Sequence, residues 1–384
     1  MRLEPVDASD ARAVLRGLRG AVLGAGPAIA LGGTDLPAEV PAGTAVVVTT
    51  SGSTGYPKSV VLSRAALTSS ALATADRIGD GAWLLALPPG YIAGVQVLVR
   101  ALVAGHEPAI LQGSFSASAF TAAASAMASS DGGRAVPAYT SLVPAQLQTL
   151  LDDPEPATAR ALARFEAILV GGQVLAPALA ERAAAAGARI VRTYGSSETA
   201  GGCVYDGVPL AGVGMRTVDG EVELSGPTLA EGYLGDAALT ARVFTVDPDG
   251  KRWYRTGDLG EFAGGHLRVT GRADNVIVSG GINVSLDRVE RVVRTVPGFG
   301  DAVVVPVADP RWGQASIVVA AGSGATGTDA TARVRAAVAA ELGPVARPRA
   351  VLGVAELPLL ASGKPDRAAL RDLAEGAAGP SDAE

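Results

Sequence analysis

The chain carries, directly after the apolar run 45–48, a hydroxyl- and glycine-rich segment that reads Thr49-Thr50-Ser51-Gly52-Ser53-Thr54-Gly55-Tyr56-Pro57-Lys58. Glycine allows the backbone to approach a ligand closely, and hydroxyls with a lysine offer many donors to spread negative charge. The segment therefore predicts a polyphosphate site, with ATP as the natural ligand. Its expected ligands are Thr50, Ser51, Gly52, Ser53, Thr54, Gly55 and Lys58.

This segment differs from the common phosphate loop, in which a glycine precedes the lysine and a helix starts at once. Here Pro57 precedes Lys58, and the apolar residues 60–62 follow. These residues favour extended backbone, with a helix that begins only after Ser63 as its cap. We therefore expect the nucleotide to lie away from a helix N-terminus.

Composition limits the classes of function. The 384 residues are enough for two or three domains, and the formal net charge is −6 with no basic cluster. Because a nucleic-acid surface needs concentrated Lys and Arg, we expect no nucleic-acid partner. Cys203 is the only cysteine and there are only two histidines, which excludes an internal disulfide and argues against a thiolate or histidine metal site.

No signal-peptide pattern and no uninterrupted apolar span of about 18 residues stands out in the sequence. We therefore expect no membrane insertion and a cytoplasmic location, where ATP is available. The sequence leaves open whether the chain forms a homodimer.

Between Thr44 and Gly195, short β-like runs alternate with helix-like, alanine-rich stretches. Such alternation predicts an α/β fold with parallel sheets covered by helices and with ligands at the carboxyl ends of the strands. The predicted strands lie at 83–88, 108–111, 134–139, 167–170 and 190–194, and the predicted helices at 92–104, 116–129, 142–151 and 177–186.

The pattern changes twice towards the C-terminus. After Gly201, Gly/Pro punctuation and short alternating runs predict a small β subdomain. Beyond Gly271 the pattern predicts a compact α+β domain: strands at 275–279, 302–307, 317–320 and 351–357, and helices at 286–295 and 330–342. We place an N-terminal domain at 1–272 and a C-terminal domain at 275–384. Residues 321–328 and 374–384 are expected to be poorly ordered.

Five segments occur in an order that resembles the adenylate-forming superfamily of acyl- and aryl-CoA synthetases, nonribosomal peptide adenylation domains and luciferases. They are the hydroxyl-rich segment, Leu169-Val170-Gly171-Gly172-Gln173, Tyr194-Gly195-Ser196-Ser197-Glu198-Thr199, Tyr254-Arg255-Thr256-Gly257-Asp258 with Gly271-Arg272-Ala273-Asp274, and Ser362-Gly363-Lys364-Pro365-Asp366. The resemblance covers residues 40 to 372. It implies a large N-terminal domain, shorter here than in typical members, and a small mobile C-terminal lid.

In this superfamily a carboxylate attacks the α-phosphate of ATP, pyrophosphate leaves, and a thiol then captures the acyl-adenylate. The resemblance implies that Gly171, Gly172 and Gln173 flank the adenine, although a strand-to-helix turn would explain the same glycines. It implies that Tyr194 stacks on the adenine beside Gly195 and that Ser197 contacts the α-phosphate. Glu198 is the implied Mg²⁺ ligand, because Mg²⁺ prefers one or two carboxylates plus phosphate oxygens. A helix-capping role for Glu198 stays open.

The resemblance assigns further roles near the C-terminus. Asp258 is implied to bind the ribose hydroxyls and Arg272 to lie near the ribose and phosphates. Asp274 is the implied hinge, although a surface turn residue would fit the same position. Lys364 is the implied catalytic lysine, which bridges the carboxylate and the α-phosphate; an isolated lysine of this kind would otherwise be a solvated surface charge.

The acid and the acceptor are implied by two other stretches. The run Tyr91-Ile92-Ala93-Gly94-Val95-Gln96-Val97-Leu98-Val99-Arg100 resembles the bacterial 2-succinylbenzoate–CoA ligases of menaquinone synthesis. It implies an acyl pocket at Tyr91, Ala93 and Gly94. The acid has two carboxylates, and Arg100 would either bind the spectator carboxylate, which is not activated, or simply complement the negative end of its own helix. Gly280 and Gly281 are implied to flank the pantetheine arm of coenzyme A.

The leading hypothesis is an ATP- and Mg²⁺-dependent ligase that joins 2-succinylbenzoate to coenzyme A. Another aryl- or acyl-CoA synthetase, or a stand-alone adenylation enzyme that loads a carrier protein, would carry the same motifs. A protein of a different class, an inactive nucleotide-binding regulator, is disfavoured by the presence of Glu198, Asp258, Arg272 and Lys364.

Overall fold

The computed structural model describes residues 1–50, 57–127, 130–322, 327, 329–360 and 363–378. The chain separates into two compact units. The larger unit contains residues 1–216, 223–256 and 262–267, and the smaller unit contains residues 217–222, 257–261 and the chain from 268 onward. No helix among the described residues is both long and apolar enough to cross a membrane.

Most of the larger unit is built from alternating strands and helices. Its first strands are β1 (Leu3–Val6), β2 (Ala28–Leu31), β3 (Thr44–Thr50), β4 (Lys58–Ser63), β5 (Ala82–Leu85), β6 (Ala109–Ile110), β7 (Ser130–Asp131), β8 (Arg134–Ala135), β9 (Ala138–Leu142), β10 (Ala167–Val170), β11 (Ile190–Ser196), β12 (Gly201–Tyr205) and β13 (Val208–Pro209). Its helices are α1 (Ala11–Leu23), α2 (Arg64–Ile78), α3 (Ile92–Val103), α4 (Ala117–Ala126), α5 (Pro144–Asp152), α6 (Pro156–Arg164) and α7 (Pro177–Ala185).

Strands β14 (Gly214–Val218), β15 (Glu221–Ser225), β16 (Gly232–Tyr233), β17 (Phe244–Val246), β18 (Arg252–Ala263) and β19 (His266–Arg272) follow, with the short helix α8 (Ala237–Val243) between β16 and β17. Phe244 in β17 pairs antiparallel with Tyr254 in β18. This stretch corresponds to the predicted small β region.

The first sheet has the strand order β1-β2-β3-β4-β16. Strands β1, β2 and β3 are parallel, whereas β4 returns antiparallel to β3 with Thr50 opposite Lys58. Ser63 ends β4 and caps α2, because its hydroxyl accepts a hydrogen bond from the Ala66 amide at 3.2 Å. The predicted extended run and its helix cap are therefore confirmed.

The second sheet has the order β13-β12-β11-β10-β9-β5-β6. Its central pairs are parallel, as predicted, but β12 and β13 are antiparallel additions at one edge. Strands β12 and β13 lie after Gly201, beyond the stretch for which the alternating pattern predicted parallel pairing. A parallel strand needs a crossover connection of a dozen or more residues, whereas only the turn 197–200 joins β11 to β12.

The helices on this sheet bury an apolar core that includes Phe120, Phe165 and Leu147, all fully buried. The Phe120 and Phe165 rings lie 5.7 Å apart. The predicted strand 134–139 is instead two strands, β8 and β9, separated at Pro137, which has no amide hydrogen to donate to a ladder. The sequence patterns did not identify β1, α1, β2 or α6.

The smaller unit contains β20 (Val276–Ser279), β21 (Ile282–Ser285), β22 (Val303–Asp309), β23 (Gly313–Ala321) and β24 (Ala350–Val354), with helices α9 (Leu286–Val293), α10 (Ala330–Leu342) and α11 (Arg367–Ala378). The sheet order is β21-β20-β23-β22, with β24 parallel to β23. An apolar core that contains Val289 and Val334 lies against α9 and α10. A second core contains Val303, Leu370 and Ala374 and is covered by α11.

The prediction of a frayed C-terminus from residue 374 is wrong for its first part. Ala374 is buried within α11, because Leu370 and Ala374 lie on one helical face and pack on the sheet. Residues 379–384 lie outside the described residues, as do 323–326 and 328 of the predicted linker.

Candidate active site

The ends of β3 and β4 flank the hydroxyl-rich segment. Thr50 is opposite Lys58 across the antiparallel pair, and its hydroxyl donates to the Lys58 carbonyl oxygen at 3.4 Å. Both residues are partly buried. Ser51, Gly52, Ser53, Thr54 and Gly55 lie outside the described residues, so the structure gives only the two strand ends between which they run.

Tyr233 links Lys58 to Glu198 within the larger unit. The pairing of β16 with β4 sets Tyr233 opposite Val60, and the Lys58 ammonium lies 5.9 Å from the centre of the Tyr233 ring. The Tyr233 hydroxyl donates to Glu198 Oε1 at 2.9 Å. Burial and the adjacent carboxylate raise the pKa of Tyr233 well above its usual value, so the phenol keeps the proton that it donates.

A second tyrosine belongs to the same cluster. Burial, followed by the charge of Glu198, raises the pKa of Tyr254. The Ser196 hydroxyl donates to the Tyr254 hydroxyl oxygen at 3.4 Å. Glu198 therefore lies beside two phenols, of which Tyr233 donates a hydrogen bond to its carboxylate. Sequence reasoning missed Tyr233 and Tyr254 as site residues, although Tyr254 begins the Tyr-Arg-Thr-Gly-Asp segment.

The backbone around Glu198 is a single 3₁₀ turn, Ser197–Thr199, that follows β11. The capping hydrogen bond comes from the Thr199 hydroxyl, which accepts from the Ser196 amide at 2.9 Å. The Glu198 carboxylate accepts from the Tyr233 hydroxyl, whereas the Glu198 main-chain carbonyl oxygen accepts from the Ala230 amide at 2.8 Å. Ser197 is buried. Glu198 is thus the acidic residue of this turn, a position that fits the helix-entry alternative as well as the implied ligand role.

Gly171, Gly172 and Gln173 follow β10 at the edge where the last part of the neighbouring β11 carries Tyr194 and Gly195. A Cβ at Gly171 would overlap the Thr193 hydroxyl, so a side chain is excluded by the packing of the two strands. Gly172 has φ +79°, in the region that favours glycine. The parallel register therefore brings two of the predicted nucleotide-binding segments together.

Arg100 is 6% exposed near the end of α3. One Nη2 hydrogen bond reaches the Tyr205 hydroxyl at 3.2 Å, and the guanidinium lies 5.1 Å from the centre of the Trp83 ring. Burial lowers the pKa of Arg100. Among the described residues, Arg100 forms no ion pair, and its buried Nε has no hydrogen-bond partner. A desolvated cation of this kind is expected to be stabilised by an anion.

The start of α3 carries Tyr91, Ala93 and Gly94. Tyr91 occupies the N-cap position and makes no side-chain cap hydrogen bond. Gly94 is buried, and a Cβ there would overlap the Pro88 carbonyl oxygen, whereas Ala93 is exposed. Close packing on Pro88 explains the glycine.

Within the smaller unit, Arg272 joins two of the predicted site carboxylates. Its Nη1 lies 2.9 Å from Asp258 Oδ1, and its Nε lies 2.7 Å from Asp274 Oδ1. Asp258 is the more buried acid, with 17% of its side chain exposed against 50% for Asp274. The Arg272 amide donates to Asp287 Oδ2 at 2.7 Å, which fixes the backbone that carries the guanidinium.

Gly280 and Gly281 form the two-residue turn between β20 and β21, with φ of +57° and +81°. Such a turn requires left-handed backbone at both positions. Trp312 packs so closely on Gly280 that a Cβ there would stand 2.8 Å from its ring. The glycine pair is thus required by the hairpin itself.

Lys364 is exposed in a turn of the smaller unit that precedes α11. Its carbonyl oxygen accepts from the Leu360 amide at 2.8 Å, and the Gly363 amide donates to the Leu360 carbonyl oxygen at 2.8 Å. Residues 361 and 362 lie outside the described residues. The turn is therefore closed by main-chain hydrogen bonds on both sides of the lysine.

Residues 8–261 match the AMP-binding enzyme family, and residues 288–364 match the AMP-binding enzyme C-terminal domain. A probable 2-succinylbenzoate–CoA ligase of Mycobacterium tuberculosis is 45% identical over 335 residues, which cover 85% of this chain and 83% of the relative. The 2-succinylbenzoate–CoA ligase of Escherichia coli is 32% identical, over 70% of this chain and 57% of the relative.

Solved structures with the same fold include o-succinylbenzoate CoA synthetase of Bacillus subtilis in complex with its acyl-adenylate intermediate, with a TM-score of 0.69 and 25% identity over 86% of this chain and 69% of the other. The amide bond synthetase McbA of Marinactinospora thermotolerans has a TM-score of 0.73 and 28% identity over 91% of this chain and 76% of the other.

The substitution Gly171→Ala tests how closely the strand ends pack. The added methyl would overlap the Thr193 hydroxyl and stand 3.0 Å from the Thr193 carbonyl oxygen. We expect the free energy of unfolding, measured with urea, to fall by about 1–3 kcal/mol, the usual cost of overpacking. Gly300→Ala is the control, because a Cβ there meets no atom within 4 Å. Equal stability of the two variants would contradict this packing.

Proposed function

Because the chain belongs to the AMP-binding enzyme family, whose profile spans residues 8–261, we propose that it activates 2-succinylbenzoate as an acyl-adenylate and transfers it to coenzyme A. The chain is an AMP-forming acid–CoA ligase by family. The observation in this chain that carries the choice of acid is Arg100, a buried guanidinium whose Nε has no partner among the described residues. The similarity to ligases named for 2-succinylbenzoate supports the same choice.

We assign ATP to the edge formed by β3, β4, β10 and β11. Lys58 and the hydroxyl-rich segment would neutralise the departing pyrophosphate, and the residue pair Gly171 and Tyr194 would flank the adenine. Gly172, Gln173 and Gly195 complete the adenine side, and Ser197 faces the α-phosphate. Chemistry of this kind depends mainly on positioning and charge neutralisation, for which fixed donors at a rigid edge are suited.

Glu198 would hold Mg²⁺. Its carboxylate offers the hard oxygen that this cation prefers, and no cluster of three or more His, Cys, Asp or Glu side chains suited to a metal occurs among the described residues. A single protein carboxylate fits a cation that takes its other ligands from phosphates and water. When bound, Mg²⁺ would neutralise charge on the phosphates. The Tyr233 hydroxyl holds Oε1 of the Glu198 carboxylate in place.

In the smaller unit we assign Asp258 to the ribose hydroxyls, Arg272 to the ribose and phosphates, and Lys364 to the bridge between substrate carboxylate and α-phosphate. Asp274 is the proposed hinge. Gly280 and Gly281 are proposed to admit the pantetheine arm, since their turn has no side chains. These assignments, together with a cytoplasmic location, stay predictions, and the oligomeric state stays open.

Arg100 suits the spectator carboxylate of a dicarboxylic acid. The alternative, that it complements the end of α3, is less favoured because its described side-chain hydrogen bond goes to Tyr205 rather than to the last carbonyl groups of the helix. A guanidinium already removed from water gains most from a carboxylate that fills its open donor. Tyr91, Ala93 and Gly94 would line the acyl side of this pocket.

A panel of acids tests the assignment directly. With ATP, Mg²⁺ and free coenzyme A, we expect a thioester of the mass of 2-succinylbenzoyl-CoA, and little product from benzoate or fatty acids that lack the second carboxylate. Mass spectrometry identifies the thioester product, and exchange of labelled pyrophosphate into ATP measures the adenylation step. Exchange without a CoA thioester would favour a carrier-protein or amine acceptor, and absence of exchange with every acid would contradict the proposed activity.

Lys364→Ala separates the two half-reactions. We expect acid-dependent pyrophosphate exchange to fall by about 10²–10³-fold, the usual effect of removing a group that stabilises transition-state charge. Thioester formation from a synthetic adenylate should stay close to wild type. The control is Lys251→Ala, an exposed lysine that lies over the Trp253 ring in the larger unit. Equal loss of both half-reactions in Lys364→Ala would contradict the assigned role.

Arg100→Ala tests the acid pocket. Loss of a charge-assisted hydrogen bond should raise the KM for 2-succinylbenzoate by about 10–100-fold and leave the KM for ATP nearly unchanged. The control is Arg77→Ala, an exposed arginine on α2 whose Nη2 donates to the Tyr205 carbonyl oxygen at 3.4 Å. A proportionate rise of both KM values in Arg100→Ala would count against contact with the acid.

A further inference from the structure

Arg367 begins α11, three positions after Lys364. Its guanidinium makes a two-point contact with the middle of the smaller unit. Nη2 donates to Glu290 Oε2 at 2.8 Å, and Nη1 donates to the Val304 carbonyl oxygen at 3.0 Å. Such a planar fork fixes direction as well as distance, which a single hydrogen bond does not.

The acceptor of this contact is itself firmly held. Glu290 lies on α9 with 8% of its side chain exposed. Its Oε2 also accepts from the Val304 amide at 3.0 Å, and its Oε1 pairs with Arg294 Nη2 at 2.7 Å. The carboxylate therefore ties α9 to β22. A residue bound to it is attached to the core of the unit, not to a mobile surface side chain.

The chain between Arg367 and the lysine is short and constrained. Only Pro365 and Asp366 intervene, and the Asp366 amide donates to the Pro358 carbonyl oxygen at 2.9 Å. The Asp366 carboxylate caps α11 by accepting from the Ala368 and Ala369 amides, each at 3.1 Å. A shift of the first turn of α11 would therefore displace Lys364 by a similar distance.

The remaining buried contacts of α11 are apolar. Leu370 and Ala374 pack against apolar side chains of the sheet, among them Val303 and Val305. Apolar contacts are less directional than hydrogen bonds, so they hold the helix on the sheet but constrain its position along its own axis less strictly than a hydrogen-bonded fork does. Within the described part of α11, the side-chain hydrogen bonds to other secondary-structure elements are those of Arg367.

We propose that Arg367 is a positioning residue for Lys364, and that its fork to Glu290 and the Val304 carbonyl sets where the lysine stands during adenylate formation. This inference rests on the proposed role of Lys364. It predicts that breaking the fork slows the half-reaction that needs the lysine and spares the half-reaction that does not.

The test is Arg367→Ala, assayed in both half-reactions. We expect the rate of acid-dependent pyrophosphate exchange to fall by about 10–100-fold, since misplacement of a catalytic group by about 1 Å has an effect of this order. Thioester formation from a synthetic adenylate and the KM for ATP should change by less than about two-fold. Arg367→Lys keeps the charge but not the fork, so its exchange rate should lie between those of the alanine variant and the wild type.

Arg294→Ala is the matched control. Arg294 is the C-cap residue of α9 and pairs with the other oxygen of the same carboxylate, but its other described side-chain hydrogen bond goes to the Ala302 carbonyl oxygen and not to α11, so both half-reactions should stay near wild type. Equal loss in both half-reactions of Arg367→Ala, unchanged exchange, or the same selective loss in Arg294→Ala would overturn the proposal. If the alanine variant does not fold, Arg367→Lys decides by the same comparison. Absence of exchange in the wild-type enzyme would instead contradict the proposed function.

Discussion

Parallel pairing of β9, β10 and β11 is the constraint on which the larger unit depends. Because all three strands end at one edge, the loop after β10 and the end of β11 must meet there, and Gly171 packs on Thr193 with no room for a side chain. The same edge then turns sharply through residues 197–199, which directs Glu198 towards Tyr233 of the other sheet. Two sheets are thus joined at the site through one carboxylate and one phenol.

Local patterns were sufficient for the elements that are buried and periodic. Strand β10 has the predicted bounds 167–170, and α3 ends within one residue of its prediction, because continuous apolar runs leave few alternatives. Two predictions failed for different reasons. Pro137 divides a predicted strand through its own missing amide hydrogen, a local signal that the strand pattern overrode. Helix α11 forms because the sheet offers an apolar surface to Leu370 and Ala374, which the local sequence does not show.

The candidate site also contains residues that could be predicted from the sequence and residues that could not. The glycines and hydroxyls could be predicted because they occur together in short segments of the sequence. Tyr233 could not be linked to Glu198 in this way, since the two residues are 35 positions apart and meet only through the register of β16 on β4. The contacts of Arg100 could not be predicted either, because Trp83 and Tyr205 come from strands that lie far apart in sequence.

The burial of Arg100 has a consequence for selectivity. Most binding sites must strip water from their charged groups at the moment a ligand arrives, and that dehydration weakens the complex. Here the guanidinium is already buried in the folded chain, so most of its hydration is lost when the protein folds. In the proposed role of Arg100, an incoming dianion would lose only its own solvent, whereas a neutral ring in the same place would leave the cation without an anionic partner. The proposed preference for a second negative group would in this sense be set by folding, before any acid binds.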